Sequence, residues 1–372
     1  MQLTLHLTNQ CNMSCKYCFI KTGPERMSRE VAIAAIKLGM ENSGTSGLLF
    51  YGGEPLLEKE LIYDVIEHTK SIKRKTGHNF NYKITTNGLL LDEEFLKFAS
   101  DVNMAIGVSY DGPAQDNCRC LQDGTGTSSI LDDKIPLLLA HHPYAMGLSV
   151  VDPATVDKAS EIVHCLYEKG FRYIHMGINY SKTAPWTKEL LLTLQHEYKK
   201  IAEMYIDWTR RENKFYFSNF DMKILSHLKG EKYNIDRARM NKNQPSVAPD
   251  GKVYTMTRHL NNPVFEIGNV FTGINKIRHK KIYERGAIPA EPCRKCAIKS
   301  RCNYAYDNLA NKGPAFVDDI TPVQCAHERL VTPIADYAAQ TLYKEQNAMF
   351  LQKHYNDLYP IMSFWEDIAI NH

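Results

Sequence analysis

No apolar run in this 372-residue chain approaches the roughly 20 residues a helix needs to cross a bilayer. That excludes a helical membrane span. Targeting features are missing too: Met1 leads straight into "QLTLHLTNQ", with no charged n-region, apolar h-region or small-residue cleavage site. An excess of charge of one sign is also absent. Forty-five Lys and Arg against 42 Asp and Glu leave +3. The basic stretches "KSIKRK" (70–75) and "INKIRHKK" (274–281) are short enough to be solvated faces, so nothing demands nucleic acid. No internal repeat is visible. A cytosolic, reducing setting is therefore expected, where the ten cysteines read as metal sites rather than disulfides.

What is present is an ordinary globular composition, 44% hydrophobic and 23% charged, long enough for one large domain and a smaller one. Strand-like runs at 3–8, 47–51, 80–86, 102–110, 146–151 and 171–178 alternate with helix-periodic stretches at 28–41, 59–73, 92–100, 128–141 and 154–169. Start signals stand at Ser28 ("SREV") and after Asp152 ("DPATVDKAS"). Six such units predict an α/β fold with a parallel sheet, a partial (β/α)6 barrel rather than the complete eight-fold one. A long helix is expected over 187–212, and an irregular linker over 229–250. A hairpin turning at Asp250-Gly251 follows, then a cysteine group at 293–325 and helical residues 328–358. The expected division is 1–228 for the barrel and its trailing helix, 229–330 for a cysteine-rich domain and 331–372 for a helical extension.

"CNMSCKYCF" (11–19) sets Cys11, Cys15 and Cys18 within nine residues, directly after a strand. A [4Fe–4S] cube takes one thiolate per iron, so three leave one iron open. Zinc would want a fourth ligand close by, and His6 is the nearest histidine. The motif resembles the signature of the radical S-adenosylmethionine (SAM) superfamily, and three further elements fall where that family has them: "GGEP" (52–55), "TTNG" (85–88) and "SYDGP" (109–113), each closing a strand. The resemblance implies that SAM chelates the open iron and is cleaved to a 5′-deoxyadenosyl radical. The SAM contacts it implies are Tyr17, Phe19, Gly52, Gly53, Glu54, Thr86, Asn87, Ser109 and Asp111, with Glu54 accepting from the SAM ammonium.

Cys293, Cys296, Cys302 and Cys325 suit structural zinc by count. Their spacing resembles the C-terminal cysteines of SPASM-domain radical SAM enzymes, the group of the anaerobic sulfatase-maturating enzymes, which implies a fully ligated auxiliary [4Fe–4S] cluster. A second auxiliary cluster of that group is not expected here: Met256 and Tyr306 stand where it has cysteines, and Thr257 where the sulfatase-maturating enzymes have an aspartate base. Gly268 in "EIGNV" matches the group's glycine. In "QDNCRC", Gln115, Asp116 and Arg119 resemble the family's His-Asp-x-x-Arg.

Several residues stay open. Cys118 and Cys120 read as buried inert thiols or as a hydrogen-atom donor, and Cys165 as core. His175 and Asn179 flank the sixth strand and either face the cavity or sit in the core. Arg258, His259, Tyr306 and Asp307 read as surface residues, substrate contacts or an acid–base pair.

The resemblance as a whole implies a peptide maturase that abstracts hydrogen from a ribosomally made precursor, giving a thioether or carbon–carbon cross-link or an epimerised residue. The alternatives are a sulfatase-type side-chain maturase and a non-enzymatic zinc protein. Implied partners are the precursor peptide and an external electron donor. With only ten residues before Cys11, leader recognition is expected to lie elsewhere or in a separate leader-binding protein.

Overall fold

In the strand Thr45–Tyr51, burial alternates residue by residue: Ser46, Leu48 and Phe50 are buried and their neighbours are not. A period of two sends one set into a helix layer and the other toward a cavity. The computed structural model in which this is seen describes residues 1–41, 44–181, 183–241, 244–286, 291–304, 322–356 and 358. Its strands are β1 (Gln2–His6), β2 (Met13–Cys15), β3 (Thr45–Tyr51), β4 (Asn79–Thr86), β5 (Ala105–Ser109), β6 (Arg119–Leu121), β7 (Met146–Val151), β8 (Tyr173–Ile178), β9 (Tyr216–Phe217), β10 (Ser246–Val247), β11 (Lys252–Tyr254), β12 (Glu266–Asn269) and β13 (Gly273–Ile274).

Strands β1, β3, β4, β5, β7 and β8 lie side by side in that order, all parallel. Helices Arg29–Gly39, Lys59–Thr76, Glu93–Asp101, Ser128–His141 and Ala159–Glu168 connect them. This is the six-unit α/β arrangement expected. Leu3, Leu5, Leu48, Phe50, Ile84, Ile106 and Val108 point outward into one core with Ile36, Ile62, Ile66 and Phe95. Each such burial contributes about 1.5–3 kcal/mol. Ser28 caps its helix by accepting from the Val31 N–H at 3.2 Å. Asp152 and Thr155 form a reciprocal cap that first closes a 3-10 turn, Pro153–Lys158, so the following α-helix starts at Ala159 rather than 154.

The expected irregular linker is largely structured. A helix assigned to Ser218–Asn241 runs through its first half, interrupted at Gly230, whose φ is 69°. Then β10 adds itself to β1 in parallel, Thr4 beside Ser246. The hairpin turns as expected, with β10 antiparallel to β11 and Gly251 at φ 82°. Strands β12 and β13 extend the same sheet, while β9 pairs with β8 at the far side. Among the described residues the sheet is an open eleven-stranded one, with β2 and β6 forming a separate pair. The residues 228 and 330, expected as boundaries, both fall inside helices, Ser218–Asn241 and Pro322–Lys344. These two helices are tied by a buried Lys223–Glu328 ion pair of 2.6 Å. No helix is long and apolar enough to cross a membrane among the described residues.

Candidate active site at the strand ends

The segment carrying Cys11, Cys15 and Cys18 lies across the C-terminal ends of the parallel strands, strapped on both sides. On one side it runs against the end of β3. Gly53 N–H donates to Thr8 C=O at 2.8 Å and Glu54 N–H to Gln10 C=O at 2.9 Å. A Cβ on Gly53 would stand 2.1 Å from the Gln10 carbonyl oxygen, and one on Gly52 2.6 Å from that of Thr8. The close backbone approach that "GGEP" permits is thus to the chain's own cysteine segment. On the other side β2 pairs with β6, Ser14 beside Cys120 and Cys15 beside Arg119.

Two buried carboxylates hold this strap to the rim. Glu54 is wholly buried. Its Oε1 accepts from Leu56 N–H at 2.9 Å and Thr86 Oγ1 at 2.6 Å, and its Oε2 from Asn87 N–H at 2.8 Å. Burial, outweighing these donors, pushes its pKa up to about 7. Asn87 passes the tie on, donating to Asn12 Oδ1 at 2.7 Å and to Cys11 Sγ at 3.9 Å. Asp111, also wholly buried, accepts from Val150 N–H at 2.9 Å, from Arg119 Nε at 3.0 Å and from the Tyr17 hydroxyl. Arg119 lies 5.1 Å from the Tyr17 ring centroid and reaches Cys15 Sγ at 4.0 Å. Gln115 completes the corner, accepting from Asp111 N–H and donating to Thr127.

The thiols are free. Burial pushes Cys11 up to about 11 and raises Cys15, so both ionise readily only against a cation. Phe19 is exposed, and Ser109 lies at the end of β5 in register with Leu148. A groove of about 440 Å³ beside Cys11 is lined by Gln10, Asn12, Thr22, Gly23, Leu57 and Gln122.

Cys293, Cys296, Cys302 and Cys325, spread over 33 positions, line one small cavity of about 20 Å³ together with Tyr304 and Glu328. Arg301 fixes the approach to Cys302 through a bidentate pair with Asp336, 2.6 Å on both arms, and a bond to Lys223 C=O. Burial pushes the Cys302 thiol up to about 12, and Arg329 reaches Cys296 Sγ at 3.8 Å. Among the described residues no three His, Cys, Asp or Glu side chains converge tightly enough to chelate one metal ion. A cube is ligated instead at four separate irons. Three thiols on the strap and four around the second cavity fit that donor pattern.

The remaining residues divide. Cys120 Sγ donates to Asp116 C=O at 3.1 Å, Cys118 is buried, and Cys165 lies in the helix Ala159–Glu168 beside Tyr110. Asp116 caps the next helix, accepting from Thr127 and Ser128 N–H. Asn179 is a loop clamp, bonded to Asp152, Ser181 and Trp186. His259 is buried, stacked on Phe265 at 3.8 Å. Thr257 hydrogen-bonds Ser246 at 3.0 Å; burial pushes the Tyr51 and Tyr304 hydroxyls up to about 12, and Arg258 offsets a part of that rise in both. Tyr306 and Asp307 lie outside the described residues. His175 is exposed on β8. The sequence reading missed a buried set behind the second cavity, in which Tyr180 and Tyr198 hydroxyls sit 2.7 and 2.8 Å from the two ring nitrogens of His327. No local pattern marks it, since its members come from three separate elements.

Comparison with known proteins agrees with this geometry. Residues 5–135 match the family model described as the Radical SAM superfamily. The chain is 28% identical over 174 residues, 42% of its length and 36% of the relative's, to the radical SAM cyclopropyl synthase TigE of Paramaledivibacter caminithermalis. It is 29% identical over 180 residues, 44% of its length and 47% of the relative's, to a cysteine-type anaerobic sulfatase-maturating enzyme of Clostridium perfringens. These alignments span less than half of the relatives' own length. Its fold matches the structure of native anSMEcpe with bound AdoMet and Kp18Cys peptide at TM-score 0.76 and 20% identity, covering 92% of this chain and 99% of that one. It also matches Streptococcus suis SuiB bound to precursor peptide SuiA at TM-score 0.60 and 13% identity, covering 86% and 75%. The chain carries a radical SAM domain, and its fold is that of these structures.

Proposed function

We propose that this radical SAM domain, spanning residues 5–135, serves an enzyme that cleaves SAM at Cys11, Cys15 and Cys18 and abstracts hydrogen from a ribosomally made precursor peptide. The observation that carries the reading is the strap itself. It sets three free thiols at the C-terminal rim of a six-strand parallel sheet, where β/α barrels gather their active sites. When bound, a cluster there would supply the electron that cleaves SAM to 5′-deoxyadenosine's radical. The chain's own residues do the positioning. Gly52 and Gly53 let the strap lie against β3, Glu54 and Asn87 hold its Cys11 end, and Asp111 with Arg119 holds its Cys15 end. Tyr17, Phe19, Thr86 and Ser109 complete the proposed SAM contacts. Cys293, Cys296, Cys302 and Cys325 would hold one auxiliary cluster, giving two [4Fe–4S] clusters in all.

A peptide as substrate is supported by relatives: both matched structures contain a peptide. The product class is a cross-link or an epimerised residue. An external electron donor, a separate leader-binding protein, a cytosolic setting and the division at 228 and 330 belong to the same reading. The 29% identity to a sulfatase-maturating enzyme favours a second reading, maturation of a protein side chain. Thr257 weighs against it, since a threonine hydroxyl bonded to Ser246 is no substitute for a carboxylate base. The test is anaerobic reconstitution with reductant and SAM, scoring 5′-deoxyadenosine and the mass of two peptides, a co-encoded precursor and a sulfatase-type peptide. Absence of 5′-deoxyadenosine from protein loaded with iron and sulfide would sink both readings.

A further inference from the structure

His175 stands on the face of the sheet turned away from the helix layer. Ser109 of β5 pairs with Leu148 of β7, and Leu148 pairs with His175 of β8. Paired residues share a face and neighbouring strands lie about 4.8 Å apart. The imidazole is therefore about two strand spacings from the end of β5. Ile174 and Met176 on either side of it are buried in the opposite, helix-covered layer, whereas His175 is exposed.

The hydrogen bonds behind the ring bear on its tautomer. His175 Nδ1 lies 2.6 Å from Ser218 Oγ. Asn219 donates from Nδ2 to Met176 C=O at 2.8 Å and to the Tyr198 hydroxyl at 2.9 Å, and accepts at Oδ1 from Met176 N–H at 3.2 Å. Pairing with both the N–H and the C=O of one residue permits a single amide orientation. Oδ1 is thus one acceptor in reach of the Ser218 hydroxyl, at 3.3 Å, and His175 Nδ1 is the other, at 2.6 Å. A serine has one hydrogen to donate: given to Oδ1, it leaves the serine oxygen to accept from Nδ1–H. In that arrangement Nε2 of a neutral imidazole is a bare lone pair. Although the residue is exposed at the surface of the sheet, the protein packed around its ring desolvates it and lowers the His175 pKa, which favours the neutral imidazole.

Three other acid–base groups near the rim are engaged. Glu54 and Asp111 have donors on both oxygens, and His259 is buried under Phe265 with Nδ1 on Thr255.

We propose that His175 Nε2 is the proton acceptor of the barrel cavity, taking the proton of a hydroxyl, thiol or amide group on the substrate residue that faces it, with Ser218 and Asn219 as positioning residues. The X–H bond breaks, its electron pair stays on X, and the proton forms a new Nε2–H bond while Nδ1–H stays on Ser218. No electron is gained or lost in this step. The inference rests on the reading that a peptide occupies the barrel.

Two measurements on the full-length protein test it. In long-range ¹H–¹⁵N spectra of histidine-labelled protein, with His175 assigned through His175→Gln, the ring is expected as the Nδ1–H tautomer. Asn219→Leu, freeing the serine hydroxyl, is expected to move it toward the Nε2–H form. A wild-type Nε2–H tautomer overturns the proposal. In the reconstituted enzyme, His175→Ala is expected to lower modified peptide per 5′-deoxyadenosine by about 10²-fold or more, and added imidazole to restore it at least partly. An unchanged ratio, or a loss that imidazole leaves untouched in a variant with wild-type melting, overturns it. A wild-type protein that yields no 5′-deoxyadenosine defeats the proposed function instead, and the tautomer still decides the role of His175.

Discussion

Arg119 and Asp111 form an ion pair away from water: Nε stands 3.0 Å from Oδ2, with the side chains 9% and 0% exposed. The pair joins the end of β5 to the cysteine strap, because Arg119 also reaches Cys15 Sγ. Removing one member of such a pair leaves the other charged and buried, at a cost of about 3–5 kcal/mol. Arg119→Met is expected to lose stability on that scale in denaturant titration. It should also bind less iron at the first site than a variant lacking an exposed pair, such as Lys97→Met, whose partner is Glu93. Wild-type stability in Arg119→Met would deny the pair its role.

Gly53→Ala places a Cβ 2.1 Å from the Gln10 carbonyl oxygen, backbone against backbone. One of the two segments must shift. A stability loss of about 1–3 kcal/mol is expected, accompanied by loss of cluster absorbance near the first site. Gly44→Ala, with no atom within 4 Å of its Cβ, is the control and should stay within about 0.5 kcal/mol of wild type. Equal melting temperatures for the two variants would contradict the close-approach account.

His6 is wholly buried with neither ring nitrogen hydrogen-bonded, and burial lowers its pKa from 6.5 to about 3. Unfolded chain therefore binds the proton more readily than folded chain between those values. Stability contributed by the neutral ring is fully present above pH 6.5 and is lost as pH falls toward 3, by as much as about 5 kcal/mol. His6→Phe should flatten the acid limb of a denaturation-versus-pH curve measured without clusters. An acid limb identical to that of wild type would show that other groups carry it.

Reconstituted protein is expected to bind about eight irons, and the triple alanine variant of Cys11, Cys15 and Cys18 about four. Cys15→Ala alone should abolish SAM cleavage. About twelve irons would bring Cys118, Cys120 or Cys165 into a third cluster, and zinc at the last four cysteines would remove the auxiliary one.

Cys302→Ala should lose peptide modification while retaining some 5′-deoxyadenosine formation, since the two cysteine groups are held by different elements. Quantifying both products in soluble variant separates the cases. Full modification would make the second cavity dispensable. Complete loss of cleavage would put it on the route by which the first site is reduced.

Residues 2–178 show their parallel strands and the first cysteine site in the sequence because both are local: a strand's period is two residues, and three thiols within nine residues need no distant partner. The second cysteine group was legible as spacing, but its convergence needed the helix Pro322–Lys344 to pack against Ser218–Asn241, locked by Lys223 and Glu328, 105 positions apart. The same packing made helix out of much of an Asn-, Lys- and Pro-rich stretch whose composition alone reads as linker: Asn234 donates to Ser300 C=O at 2.6 Å, an interaction that no window of neighbouring residues contains. Composition likewise leaves His175 undecided between core and cavity. Tertiary structure decides it, because its face follows from strand register and its hydrogen-bond partner from Ser218, 43 residues further on.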